Sequence, residues 1–130
     1  IQYTVFGFPS VYYGDEAGLE GYHDPFCRKP FPWGHEDAEI LGHYKLLGEI
    51  RSRHGAFAGG DFSFIDHDEK YVIYERKKGC DRVITAANRS CETLEIALPG
   101  HYSDALTGKH FRDFLTLEPD TAVILEEVKD

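Results

Sequence analysis

Apolar positions recur at three- and four-residue intervals between Glu36 and His54. Beyond Gly55 they alternate in short runs, so the period changes once along the chain. The first stretch carries Ile40, Tyr44, Leu47 and Ile50 on one stripe. Glu36, Asp37 and Glu39 sit at its positive end and Arg51, Arg53 and His54 at its negative end, with Gly55 as a stop. It predicts a helix over 36–54. The second stretch predicts strands at Phe62–Ile65, Tyr71–Arg76, Arg82–Asn88, Thr93–Leu98, Tyr102–Leu106, His110–Leu115 and Ala122–Glu127, broken at 66–70, 77–81, 89–91, 107–109 and 119–120. Regular short strands of this kind predict an antiparallel β-sandwich of Greek-key type.

Ahead of the helix, residues 1–6 read as the tail of an earlier helix ending at Gly7. Pro9, Val11, Tyr12 and Tyr13 then read as a strand ended by Gly14. From Asp15 to His35 there is no period, and a long polar loop of this kind is uncommon unless it has work to do. The fold class predicted is mainly β with an α/β N-terminal part, divided into residues 1–55, with a loop at 14–35, and residues 56–130.

The loop region carries Gly7-Phe-Pro-Ser-Val-Tyr-Tyr-Gly-Asp-Glu16, then Glu20-Gly-Tyr-His-Asp-Pro-Phe-Cys-Arg28 and Pro32-Trp-Gly34. These motifs resemble the region around the eighth barrel strand of the α-amylase family of glycoside hydrolases, in its neopullulanase, cyclomaltodextrinase and maltogenic amylase branch. The resemblance covers residues 1 to about 55, and the remainder is similar in pattern to the β-sandwich that follows the (β/α)8 barrel in that family. It implies that 1–55 is the last strand and helix of such a barrel, with an active-site loop at 14–35. It also implies a parent that hydrolyses α-1,4 or α-1,6 glucosidic bonds with retention. That reaction needs two carboxyl groups about 5 Å apart. The family's three catalytic acids belong to earlier strands, so none is expected here; all are expected upstream of Ile1, and the chain is expected to be an inactive C-terminal fragment.

Site residues follow from the same resemblance. Asp24 and Arg28, in the Asp-Pro-x-x-Arg pattern, match family positions that contact glucose units, and the chemistry fits: a carboxylate accepts from vicinal hydroxyls while a guanidinium fork donates to two oxygens. A local salt bridge that only fixes the loop is the plainer reading. Trp33 offers a flat face for a pyranose ring, against the commoner use of such a Trp to pack a loop. Tyr12 and Tyr13 read as packing residues, and the resemblance makes Glu16 a structural acid. The partner implied is an α-glucan oligosaccharide or polysaccharide, together with the upstream barrel segment. The helix at 36–54, deprived of a barrel, is a candidate for self-association.

Charge narrows the partners further. Fourteen Lys and Arg against 23 Asp and Glu give a net charge of −9, which argues against nucleic acid and against an anionic membrane surface, and no apolar run is long enough to span one. Neutral sugars remain compatible. Cys27, Cys80 and Cys91 form no metal or disulfide pattern and read as free, partly buried thiols, favouring a cytoplasmic setting; Cys27 as a nucleophile would need His23 or His35 beside it. Asp61, Asp66, His67, Asp68 and Glu69 lack the spacing of a calcium loop and read as a solvated hairpin tip. No cofactor is expected in this segment, with calcium left to the parent. Asn88-Arg-Ser90 matches a glycosylation sequon only in a secretory eukaryotic context. A competing function is a non-catalytic carbohydrate-binding or interaction module using Tyr71, Tyr74, Tyr102, Phe111 and Phe114 on the sandwich surface, although Phe111 and Phe114 differ in parity.

Overall fold

A computed structural model describes residues 1–128. Helix α1 (Ala38–Arg53) is followed by six strands, β1 (Asp61–His67), β2 (Tyr71–Lys78), β3 (Asp81–Asn88), β4 (Leu94–Asp104), β5 (His110–Leu117) and β6 (Ala122–Glu127). All lie in one antiparallel sheet of order β1-β2-β3-β6-β4-β5. The position of β6 between β3 and β4 gives the non-sequential order.

One core cluster joins Ile73, Ile84, Ala86 and Leu125 to Leu98, Tyr102, Phe111, Leu115 and Leu117. The β4–β5 half therefore folds over to meet β2, β3 and β6, as in a β-sandwich. The turn falls at Pro99-Gly100, where the pairing of β4 with β5 slips between Ala97 and His101. Here the structure corrects the sequence reading: Thr93–Leu98 and Tyr102–Leu106, expected as two strands, are largely one. Pro-Gly reads as a break, yet β5 pairs on both sides of the bulge and carries the strand through.

The opposite face of β3 and β6 receives α1. Ile50 (1% exposed) and Phe57, in a short 3-10 turn over Gly55–Ala58, pack with Val83 and Ile124, and Leu46 and Leu47 join them. The C-terminal half of the apolar stripe thus has a partner; at the other end Ile40 stays 38% exposed. Asp37 caps the helix, its Oδ1 accepting from the backbone N–H of Glu39 (3.0 Å) and Ile40 (2.9 Å). The helix ends at Arg53, with His54 rather than Gly55 as its last capping residue.

The N-terminal segment is stitched onto the same face by two arginines. Arg51 Nη1 donates to the Tyr3 carbonyl (2.6 Å) and its Nη2 to Gly7 and Phe57 carbonyls. Arg76, 2% exposed on β2, donates to carbonyls of Gly60 (3.0 Å), Asp61 (3.3 Å) and Thr4 (3.4 Å). Thr4 and Tyr74 share a buried hydroxyl contact of 2.6 Å.

Residues 9–13, expected as a strand, form none: Tyr12 and Tyr13 are 72% and 49% exposed instead of packed. Their composition suits a strand, but a strand exists only where a neighbour completes its hydrogen bonds, and no described strand lies alongside.

Candidate functional site

The loop leaves the extended segment through Gly14 (φ 78°) and a single 3-10 turn over Asp15–Ala17. A side chain at Gly14 would collide with Leu19, and the Asp37 N–H closes onto the Ala17 carbonyl at 3.0 Å, tying this turn to the head of α1. The Tyr13 hydroxyl donates to the carbonyl of Lys29, fixing the far side of the loop. Between these anchors the chain makes a tight turn through a cis Asp24–Pro25 bond, with the N–H of Phe26 on the His23 carbonyl and that of Arg28 on the Pro25 carbonyl.

That turn brings Asp24 and Arg28 together. Arg28 Nε lies 2.7 Å from Asp24 Oδ1 and its Nη2 donates to Oδ2 at 3.1 Å, a two-point contact between side chains 61% and 76% exposed. An ion pair this wet contributes little stability. It fixes the two groups relative to one another all the same, and both side chains keep hydrogen-bonding capacity that the pair does not use. Cys27 Sγ lies 3.8 Å from Asp24 Oδ1, so the group nearest the sulfur by hydrogen bonding is a carboxylate and not the histidine base that a nucleophilic thiol needs. Cys80 and Cys91 are exposed rather than partly buried.

Trp33 is 79% exposed and touches Phe31, ring centroids 4.5 Å apart. It does not bury itself against the fold, which corrects the packing expectation and leaves its face open. Tyr22 and Phe26 are exposed on the same loop. The Glu36 carboxyl, at the loop's end, is held below the usual carboxylate range by backbone N–H groups of Glu36 and Gly34.

The hairpin acids serve the turn. Asp68 Oδ1 accepts from the N–H of Lys70 (2.6 Å) and Tyr71 (2.9 Å), and Asp66 Oδ2 accepts from the Tyr71 hydroxyl (2.8 Å). The aromatic platform of the binding-module reading does not form: Tyr74, Tyr102 and Phe111 are buried and Tyr71 is half-buried against the core, leaving Phe114 exposed. No helix among the described residues is long and apolar enough to cross a membrane.

A second polar cluster was missed by the sequence reading. His54 lies between Asp81 (Nδ1 to Oδ1, 2.8 Å) and Glu126 (Nε2 to Oε1, 2.9 Å), in an open cleft of about 340 Å³ that also includes Arg53, Cys80, Arg82 and Glu127. No sequence signal exists for it, because its acids lie 27 and 72 residues away. Burial pushes the imidazole pKa down, and hydrogen bonds to Asp81 and Glu126 outweigh this, so the net shift is upward. Burial likewise pushes Asp81 up, while hydrogen bonds from His54 and the Ala56 N–H bring it below its ordinary value.

The sign follows for each group. A raised His54 adds stability fully present below about pH 6.5 and lost as pH rises through its folded value. A lowered Asp81 adds stability present above about pH 3.8 and lost as pH falls through its folded value. The chain should therefore lose stability as pH rises through the folded pKa of His54, and His54→Gln should remove that slope. Urea unfolding at pH 5.5 and 8.5 checks this; equal slopes in both proteins would refute it.

No protein-family model matches the chain. Among curated proteins, a cyclomaltodextrinase of Bacillus sp. is 33% identical over 113 residues, which is 84% of this chain and 19% of the relative. The crystal structure of an Anoxybacillus α-amylase overlays 99% of this chain and 31% of its own with a TM-score of 0.86 at 22% identity. AmyP, solved in complex with maltose, overlays 95% of this chain and 32% of its own with a TM-score of 0.73 at 21% identity. The two structures establish the fold. Relatives named cyclomaltodextrinase, amylopullulanase and maltogenic α-amylase establish the kinship. The chain belongs to the α-amylase family of glycoside hydrolases. It spans less than a fifth of the length of the first two curated relatives it matches, at 19% and 17%.

Proposed function

We propose that this chain is the C-terminal part of an α-glucan hydrolase, supplying one wall of the sugar cleft and a stabilising sandwich, with the catalytic carboxylates on an upstream barrel segment. Residues 1–55 serve as the last β/α unit of that barrel and residues 56–130 as the domain that follows it. In this reading the segment at 9–13 becomes a strand only when the neighbouring barrel strand is present to pair with it. The chain alone is inactive.

The exposed Asp24–Arg28 pair carries the reading. Its inner edges satisfy one another, and the exposed side chains keep further acceptor and donor capacity of the kind that sugar hydroxyls use. Trp33 adds an open apolar face on the same loop. The kinship with enzymes named cyclomaltodextrinase and amylopullulanase supports an α-glucan as the substrate class. A sandwich-surface binding module has less support, because most of its aromatics lie in the core.

Mixing the chain with a separately expressed upstream barrel segment should restore release of reducing sugar from maltotriose or pullulan, while neither part turns over alone. In the mixture Arg28→Ala and Asp24→Ala should each weaken maltotriose binding about tenfold, the equivalent of roughly 1.4 kcal/mol. Their circular dichroism should match the parent, since the pair is exposed. Unchanged affinity in both variants would reduce the pair to a loop fastener and overturn its assignment to sugar.

A further inference from the structure

Strands β4 and β5 pair Tyr102 with Phe111, and both rings turn into the core. The residues flanking them, His101 on β4 with His110 and Arg112 on β5, therefore share the opposite surface. There His101 Nε2 lies 3.0 Å from His110 Nδ1, with ring centroids 5.2 Å apart. Both imidazoles are reachable from solvent, His110 being exposed and His101 partly so.

Two ring nitrogens at this distance can share a proton or a metal ion. Bonds from imidazole to late transition metals are about 2.1 Å, so two of them meeting near a right angle place their nitrogens about 3.0 Å apart. We propose that His101 and His110 form a two-histidine site for a divalent late transition-metal ion such as Ni²⁺, Cu²⁺ or Zn²⁺, with water in the remaining positions. Imidazole suits these ions, whereas calcium and magnesium prefer oxygen. Among the described residues no group of three or more His, Cys, Asp and Glu side chains stands ready for a metal, so this site is a pair completed by solvent.

The neighbouring charge sets a signature. Arg112 Nη2 is 3.3 Å from His101 Nδ1. A guanidinium only donates, so in this arrangement Nδ1 is the acceptor and Nε2 carries the proton towards His110. Binding a metal at Nε2 moves that proton to Nδ1, and the exposed Arg112 head must turn away. Arg112→Ala should then bind metal as tightly as the parent or more tightly.

Titration of the tag-free chain with Ni²⁺, followed through paramagnetic broadening of the histidine ring signals, tests the site. His101 and His110 should broaden at lower Ni²⁺ than the other five of the seven histidines. In His110→Gln the onset at His101 should move to at least tenfold higher Ni²⁺, and in Arg112→Ala it should hold or move lower. Simultaneous broadening of all ring signals, or an unchanged onset in His110→Gln, would overturn the proposal.

Discussion

Replacing Gly60 by Ala should cost the chain about 3 kcal/mol, a large fraction of what holds a domain of this size folded. A Cβ at Gly60 would stand 2.5 Å from the carbonyl oxygen of Ala56 and 2.7 Å from that of Lys77. Both are backbone atoms, and neither has a rotamer to move through. The Gly60 N–H also donates to Ala56 O at 2.9 Å, closing the 3-10 turn, while its carbonyl receives Arg76. Relief of the clash therefore means opening the joint between that turn and the start of β1. Chemical denaturation gives the result directly; an unchanged midpoint would show that the turn yields without loss.

The second large effect is expected at Arg76. Its guanidinium is buried on the helix-facing side of the sheet and holds carbonyls of Thr4, Gly60 and Asp61, with no carboxylate among these partners. Burial, and then the charge of Arg51, lower its pKa. Arg76→Met keeps most of the stem and removes every donor, leaving three carbonyls to find water or stay unpaired. Each orphaned bond costs about 1 kcal/mol or more, so a loss near 3 kcal/mol is expected. The N-terminal segment should loosen first, seen as faster amide exchange at Thr4 and Val5 than in α1. A loss below about 1 kcal/mol would mean that solvent already reaches the three carbonyls.

Local patterns were legible where a local rule governs them. The strand Ala122–Glu127 appears with the bounds its alternation predicts, and the helix expected over 36–54 runs from Ala38 to Arg53, because apolar period and end charges act within one element. The Asp24–Arg28 contact was legible for the same reason, being four residues long. Outcomes set by distant partners were not. Whether 9–13 becomes a strand depends on a neighbour outside its own sequence. Pro99-Gly100 looks like a terminator until β5 pairs across it. Nothing near Arg76 announces that its partner is Thr4, 72 residues earlier, and nothing near His54 announces Glu126. The exposure of Trp33 was equally hidden, since a ring between Pro and Gly packs or projects according to what the rest of the fold places beneath it.

The outer strand β1 pairs only with β2 in the sheet and carries Phe64 at 58% and Ile65 at 39% exposure. A regular strand with that composition would be a template on which further chains could add, and addition repeated along one direction makes a fibre. The pairing of β1 slips between Phe64 and Asp66, so the outward N–H and C=O groups lose the even spacing that an incoming strand must match. Asp61 and Asp66 add carboxylates along the same edge. The irregularity that shortens one ladder inside the molecule thus also hinders separate molecules from continuing it along this edge.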